Sequence, residues 1–268
     1  MPKFDLAALL GVLVASATLP APSLTQGLDS ITLITVPAAR PTTLVVGERL
    51  EYDVKFGRVR VGRGSMEVLE TTDVRGREAW HTLFAVRGGI PFFRVDDRLE
   101  SWIDTRSFSS LRFAQRTNEG RYHRERRIEL FPERETMLES GDGEQEEPTV
   151  HEPLDEGALL YYIRTLPLED GDVYSLDRYF RPDRNPVRLE VLRRERIQVP
   201  GGTFDTIVIR PTIRSSGIFA ESGRAEIWVT DDARHLLVQM TAKLSFGTLH
   251  LLLREITNAA VIPLAVGK

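Results

Sequence analysis

The chain has 268 residues, of which 41% are hydrophobic, and its formal net charge at pH 7 is −4. This length and hydrophobic content predict a globular protein of one or two domains with a sizeable core. The negative net charge argues against a general affinity for nucleic acid, which needs a basic surface. The chain has no cysteine, which excludes disulfides, thiol catalysis, thiolate metal sites, iron–sulfur clusters and the cysteine-linked lipid of bacterial lipoproteins.

The first residues are typical of an export signal. Lys3 precedes the apolar stretch LAALLGVLVASATL, which is too short to span a bilayer, and Ala15-Ser16-Ala17 offers a cleavage site. We therefore predict a signal peptide over residues 1–17, and a periplasmic or secreted protein of the bacterial cell envelope that keeps no stable transmembrane anchor. Because Asp5 offsets the charge of Lys3, a membrane-anchored N-terminus is the alternative.

Proline spacing and strand-like patterns divide the rest of the chain. Residues 18–44 contain four prolines among small residues, which predicts a Pro-rich linker. A single β-rich domain is expected over residues 45–258, followed by a C-terminal tail over residues 259–268.

The stretch FGRVRVGRGS, residues 56–65, comes close to a phosphate-binding loop. A phosphate loop leads into a helix, whereas the apolar residues on both sides of this stretch alternate with the period of a strand. We predict a β-hairpin instead, with Gly57-Arg58 as a two-residue type II′ turn. The pairing of Val54 with Val61 and a bulge near Gly62-Arg63 would keep the apolar residues on one face.

Further alternating segments predict strands through residue 131, and one of them carries a row of carboxylates. In RVDDRLESWID, Asp96, Glu100 and Asp104 share a strand face and could bind a hard cation. Pairing with neighbouring arginines on a solvated face is the simpler interpretation, and we predict no metal site.

One segment has helical periodicity. Asp155 can cap it, and an apolar stripe follows at the spacing of a helix over residues 156–166, namely Leu159, Tyr162, Ile163 and Leu166. Pro167 and Gly171 are expected to end it.

The second half again predicts strands, joined at Pro200-Gly201 by a type II turn and at Gly247-Thr248 by a hairpin turn. About twelve strands would form a sheet nearly 60 Å wide, which a helix of about 18 Å cannot cover. The predicted fold is therefore mainly β: a large curled antiparallel sheet, half-barrel or barrel-like, with one principal α-helix.

Catalytic motifs are absent from the sequence. The five histidines form no metal-binding spacing, and no serine lies in a nucleophile elbow. We predict no catalytic residues and no cofactor, although a hydrolase with distant catalytic residues remains a second alternative.

Several motifs in order, among them GERLEYDVKFGRVRVGRGSMEV, ALLYYIRTLPLEDGD and VPGGTFDTIVIRP, resemble the exported bacterial family called domain of unknown function 3108. The resemblance runs from about Gly47 to Ile256. It implies a cell-envelope β-protein without an assigned activity, so no site residues carry over. By architecture alone, the predicted fold is also similar to periplasmic lipoprotein-carrier half-barrels.

The leading functional hypothesis is a non-enzymatic envelope protein that binds an apolar or amphipathic, lipid-like ligand inside the curled sheet. Its predicted ligand-binding residues form one apolar face: Leu236, Val238, Met240, Leu244, Phe246 and Leu251. A structural or scaffolding envelope protein with a packed interior is the first alternative.

Overall fold

The computed structural model describes residues 44–90, 93–141, 145–214, 225–244 and 247–258. The strands of the first half are β1 (Arg49–Phe56), β2 (Val59–Val74), β3 (Arg77–Ile90), β4 (Phe93–Asp104), β5 (Ser110–Glu119), β6 (Tyr122–Phe131), β7 (Thr136–Glu139) and β8 (Glu147–Pro148). Those of the second half are β9 (Val173–Leu176), β10 (Val187–Val199), β11 (Gly202–Thr212), β12 (Glu226–Thr230), β13 (Leu237–Leu244) and β14 (Gly247–Thr257). Between β8 and β9 lie the helix α1 (Glu156–Tyr162) and a 3₁₀ turn (Ile163–Thr165); two further 3₁₀ turns are Pro132–Arg134 and Pro182–Arg184.

All fourteen strands belong to one antiparallel sheet, in the order β8-β7-β6-β5-β4-β3-β2-β1-β14-β13-β12-β11-β10-β9. Strands that follow one another in the sequence are therefore neighbours, except β8 and β9, which form the two edges of the sheet. The first strand, β1, pairs with the last, β14. The prediction of a large curled antiparallel sheet with one principal helix is confirmed.

The two edges of the sheet approach each other without pairing as strands. Leu154, which follows β8, forms a bridge with Tyr179, which follows β9. The N–H of Leu154 donates to the carbonyl oxygen of Arg178 at 2.6 Å, and the N–H of Phe180 donates to that of Leu154 at 3.1 Å. The curled sheet thus forms a barrel-like wall around one apolar core.

The stretch FGRVRVGRGS forms the predicted hairpin β1–β2. Phe56 pairs with Val59 across the turn Gly57-Arg58, and Gly57 has a φ of +57°. Lys55 pairs with Arg60, but the preceding residue, Val54, pairs with Gly62. The extra residue of the bulge is therefore Val61, and the predicted pairing of Val54 with Val61 is wrong.

Gly62 has a packing role. A Cβ atom on Gly62 would lie 2.5 Å from the carbonyl oxygen of Arg87 and 2.9 Å from the Cα of Gly88, which is its partner on β3. Glycine at this position lets the backbones of β2 and β3 approach closely.

The helix begins where the sequence predicts. The Oδ1 atom of Asp155 accepts hydrogen bonds from the N–H groups of Gly157 and Ala158 at 2.8 and 2.9 Å. The helix packs on β4 and β3, on the inner side of the curl. The predicted stripe is entirely buried: Leu159, Tyr162, Ile163 and Leu166.

Two predicted turns need correction. Gly247 and Thr248 belong to β14, since they pair with Leu244 and Lys243; the connection is residues 245–246, outside the described residues. Pro200-Gly201 does connect β10 to β11, but the positive φ falls on Gly202 (+136°) instead of Gly201. The turn is therefore not type II. Its Gly201 N–H donates to the carbonyl oxygen of Leu253 at 2.8 Å, which folds the turn against β14.

Candidate functional site

The apolar face predicted to bind a ligand lies on the inner side of the sheet. Leu236, Val238, Met240 and Leu251 keep 3% or less of their surface exposed, and all four belong to the apolar core. A bulge in the pairing of β12 with β13 makes Val238 the extra residue, and Leu237 beside it is buried too. Leu244 ends β13, but its side chain is not described, and Phe246 lies outside the described residues.

The apolar core that contains this face also contains residues of the helix and of other strands. The helical stripe belongs to the same core, and so do buried side chains of β9 and β10, among them Tyr174, Leu176, Val187, Leu189 and Val191. The Tyr52 hydroxyl donates to the carbonyl oxygen of Leu237 at 3.0 Å, which ties β1 to β13 inside the wall. A space large enough for water would leave exposed surface on its walls, so the four described residues line no such space.

A buried ion pair anchors the end of the helical segment. The Arg164 guanidinium donates to both carboxylate oxygens of Glu48, at 2.6 and 3.0 Å, and its Nε donates to the carbonyl oxygen of Arg234. Both side chains are almost completely buried. This pair was not predicted from the sequence, where its local signal is one arginine inside the apolar run ALLYYIRTL.

The helix N-terminus rests on a second buried polar group. The Ser101 hydroxyl donates to Asp155 Oδ1 at 2.6 Å, and the Ser110 hydroxyl accepts from the Asp155 N–H. Burial raises the pKa of Asp155 to about 6, and its Oδ2 atom has no hydrogen-bond partner among the described residues. A Cβ atom on Gly157 would lie 2.4 Å from Ser101 Oγ. The hydroxyl is therefore enclosed by the helix and leaves no room for a substrate.

Two more inward-facing polar groups lie on the β4–β7 side. Arg126 binds Glu139 through Nε and Nη2, at 2.6 and 2.9 Å, and these hydrogen bonds lower the pKa of Glu139 despite its partial burial. Asp97 accepts a hydrogen bond from the N–H of Asn118 at 2.8 Å, and burial raises the pKa of Asp97 to about 6. The sequence contains a signal for this position, because Asp97 alternates in phase with the apolar residues Val95, Leu99 and Ile103 of β4.

The carboxylate row on β4 is occupied by protein partners. Asp96 pairs with Arg87, Glu100 with His81, and Asp104 with Arg77, at 3.1, 2.9 and 2.8 Å. Two of these partners are arginines, as in the simpler interpretation, but the partner of Glu100 is a histidine and Asp104 is buried instead of solvated. In the described part of the chain, no three metal-binding side chains cluster as a cation site would require.

The hydrogen bonds described for the histidines do not include a serine or threonine hydroxyl. The His81 ring stacks on Trp102 with centroids 4.2 Å apart, and its Nε2 faces Glu100. His81 Nδ1 also faces Glu70. Further described contacts are with an amide, an exposed carboxylate and a backbone carbonyl, in His123–Asn118, His151–Glu135 and His235–Arg164. These contacts do not form a nucleophile–base pair.

A shallow depression of about 410 Å³ lies on the outer face of β1–β4. Ser65 and Ala85 pair across β2 and β3, and as small residues they form its floor. Longer charged side chains surround them: Arg49, Arg63, Arg87, Arg98, Glu67 and Asp96. Ion pairs such as Arg49–Glu67 and Arg87–Asp96 already use several of these charges.

A family model described as "Protein of unknown function (DUF3108)" matches residues 51–254. No curated protein matches the chain. A crystal structure of a β-barrel-like protein of the domain of unknown function DUF1849 from Brucella abortus is 14% identical, with a TM-score of 0.51, covering 82% of this chain and 99% of that chain. A "putative lipoprotein" from Parabacteroides distasonis is 11% identical, with a TM-score of 0.37, covering 82% and 100%. The similarity to the Brucella abortus protein extends to the fold alone.

Helices long and apolar enough to cross a bilayer do not occur among the described residues.

Proposed function

Since this chain belongs to the DUF3108 family of proteins of unknown function, we propose a role for it from its own geometry. It is a non-enzymatic protein of the bacterial cell envelope whose interior is filled and whose outer surface binds partners. The predicted signal peptide over residues 1–17 supports the location.

The observation that carries this proposal is the burial of the inner apolar face. Leu236, Val238, Met240 and Leu251 contact protein atoms on nearly all sides, as in a packed core. A ligand would have to displace side chains of this core, and the ion pair of Arg164 with Glu48 ties the helical segment to the entry of β1. The packed interior, the first alternative of the sequence analysis, therefore has more support than a ligand cavity.

The chemistry of the buried polar groups supports a non-enzymatic role. The Ser101 hydroxyl is enclosed, and Arg126 and Glu139 bind each other. Their hydrogen bonds satisfy buried groups of the fold, which is a structural use of polarity.

Overfilling the core tests whether the interior is packed. Ala242 is buried on β13, and Ala242→Phe should lower the free energy of unfolding by about 1–3 kcal/mol if its surroundings are filled. Gln239→Phe, at a partly exposed position of the same strand, should change it by about 0.5 kcal/mol or less. Urea unfolding of both variants measures the difference.

The same variants decide between the packed interior and the lipid-binding hypothesis. We expect the wild-type protein to show no saturable binding of a fluorescent fatty-acid probe. If it does bind the probe, and Ala242→Phe weakens that binding with little loss of stability, the interior is a lipid site. The predicted apolar face from Leu236 to Phe246, with Leu251, would then be its lining, and the packed-interior proposal would be wrong.

A further inference from the structure

The connections of the first six strands lie alternately at two ends of the sheet. Because the strands are antiparallel neighbours, the connections β1–β2, β3–β4 and β5–β6 share one end. The N–H of Gly120 in the β5–β6 turn donates to the carbonyl oxygen of Arg94 at 2.8 Å, which places the start of β4 beside that turn. We use the name tip surface for five side chains at this end: Arg58, Val59, Arg94, Arg121 and Tyr122.

The tip surface exposes apolar side chains. Val59 is 66% exposed and Tyr122 is 41% exposed, and the described residues expose only two other large hydrophobic side chains. Those two, Val46 and Leu69, lie away from the tip surface, before β1 and along β2. A single exposed valine or tyrosine would call for no explanation, but these two begin β2 and β6 at the same end and stand next to arginines.

The exposed charge of the tip surface is positive. Arg58, Arg94 and Arg121 are exposed, and none of them forms an ion pair with a carboxylate in the described part of the chain. The nearby carboxylates of Asp53, Asp97 and Glu119 are buried, and Asp53 pairs with Arg60 at 3.2 Å. This local excess of cations contrasts with the net charge of −4 of the whole chain.

The opposite end of the same strands has a different character. The β2–β3 turn is flanked by the exposed carboxylates of Asp73 and Glu78, and the β4–β5 connection begins at Asp104, which binds Arg77. In the described part of the chain, the opposite end has one exposed arginine outside the ion pairs, Arg106, and one exposed valine, Val46. The tip surface has three such arginines beside two exposed apolar side chains and no exposed carboxylate among its five members, so its positive and apolar character is the stronger of the two.

We propose that the tip surface docks on a bilayer that contains anionic phospholipid. Arginines are attracted to the negative surface of such a bilayer, and their planar guanidinium groups suit lipid phosphates. Tyrosine favours the interface between headgroups and acyl chains, where Val59 would also lose contact with water. A soluble polyanion would use the arginines but would offer Val59 and Tyr122 no apolar surroundings. The proposal uses the envelope location proposed above but does not depend on the filled interior.

Vesicle co-sedimentation tests the proposal with the protein purified after export. We expect binding to vesicles of phosphatidylglycerol and phosphatidylethanolamine and little binding to vesicles of phosphatidylcholine. Arg58→Gln with Arg121→Gln should lower the partition coefficient about 25-fold, since each arginine near an anionic surface contributes about fivefold. Val59→Ser with Tyr122→Ser should lower it at least about fivefold, because apolar burial in the interface is lost.

Matched controls lie at the other end. Arg106→Gln, at an exposed position of the β4–β5 connection, and Val46→Ser should leave binding unchanged.

Equal binding to both kinds of vesicle, or an equal loss in Arg106→Gln, would overturn the proposal. Full binding by the Val59 and Tyr122 variant, with strong competition by dextran sulfate, would point to a soluble polyanion instead. Circular dichroism checks that every variant is folded. A chain that is never exported would refute the proposed location and leave the vesicle result standing.

Discussion

At the scale of single residues, two buried charged side chains hold the helical segment inside the sheet. Asp155 caps the first turn and binds Ser101 of β4, while Arg164 binds Glu48 and the carbonyl oxygen of Arg234. The cap could be read from the sequence because an N-cap aspartate acts on residues two and three positions further on. The partner of Arg164 lies 116 residues away, so only the folded sheet brings the two together.

Arg164→Met should lower the free energy of unfolding by about 3–5 kcal/mol, because it leaves the carboxylate of Glu48 buried and unpaired. The double variant Arg164→Met with Glu48→Leu should recover much of that loss, since it removes both buried charges. Denaturant unfolding of the two variants provides the comparison. If the double variant is no more stable than Arg164→Met, the loss of stability does not come from the unpaired carboxylate of Glu48.

Asp155 predicts a pH dependence of stability. Its ordinary pKa is 3.8, and burial raises it to about 6 in the folded protein. Between these values the folded state binds more protons than the unfolded state, so the free energy of unfolding falls as pH rises from about 4 to about 6. It then stays lower above that range, by about 2–3 kcal/mol in total from this group.

Asp155→Asn measures this effect, because asparagine also caps helices but does not titrate. We expect the stability of the variant relative to the wild type to rise between pH 4 and pH 6 and to stay constant above pH 7. Asp205→Asn, at an exposed position of β11, is the control and should show no such trend. Parallel stability curves for wild type and Asp155→Asn would refute the raised pKa.

At the scale of elements, the β1–β2 hairpin has one feature that follows from its own sequence, the turn, and one that depends on the neighbouring strand β3, the position of the bulge. The two-residue turn follows from Gly57 itself, whose positive φ suits a Gly-X loop. The position of the bulge depends on how β2 fits β3 at Gly62 and Gly88. Sequence alone could predict that a bulge was needed, but it could not show which residue would be the extra one.

Gly57→Val should lower the free energy of unfolding by about 1–3 kcal/mol, because a β-branched residue is strained at a φ of +57°. Steric crowding would not contribute, since a Cβ atom at Gly57 meets no atom within 4 Å. Arg63→Ala on the same hairpin should change stability by about 0.5 kcal/mol or less, since this side chain is exposed. Thermal protection of the wild type by phosphate, absent in Arg63→Ala, would revive the phosphate-loop interpretation.

At the scale of the whole molecule, the width of the predicted sheet indicated that it must curl, but not which side chains occupy its interior. The helical stripe alone is too small to cover the face from Leu236 to Leu251, and this suggested a cavity. In a curled sheet, side chains of distant strands also reach the interior, and the core that includes this face also includes residues of β5, β6, β9 and β10. Which strands meet across the interior depends on the pairing of β1 with β14 and on the bridge of Leu154 with Tyr179, and no local pattern encodes either.

Export is a prediction for the whole chain. We expect cleavage after Ala17, because Ala15-Ser16-Ala17 follows an apolar segment of the length found in signal peptides. N-terminal sequencing of the protein from the periplasm of an expressing host should yield Thr18. Recovery of the chain with Met1 from the soluble cytoplasm would contradict both the cleavage and the location.

The pairing of β1 with β14 has a consequence for the order in which the chain can fold. Arg49 lies opposite Thr257, so the first strand of the sheet, β1, forms hydrogen bonds with the last strand, β14. A chain that leaves a translocation channel from its N-terminus exposes an open β1 edge until Gly247–Thr257 has followed. Contacts of such large sequence separation form slowly, and an open edge recruits other strands. Slow translocation should therefore be the stage at which this protein aggregates, and a chaperone that covers strand edges would act during that interval.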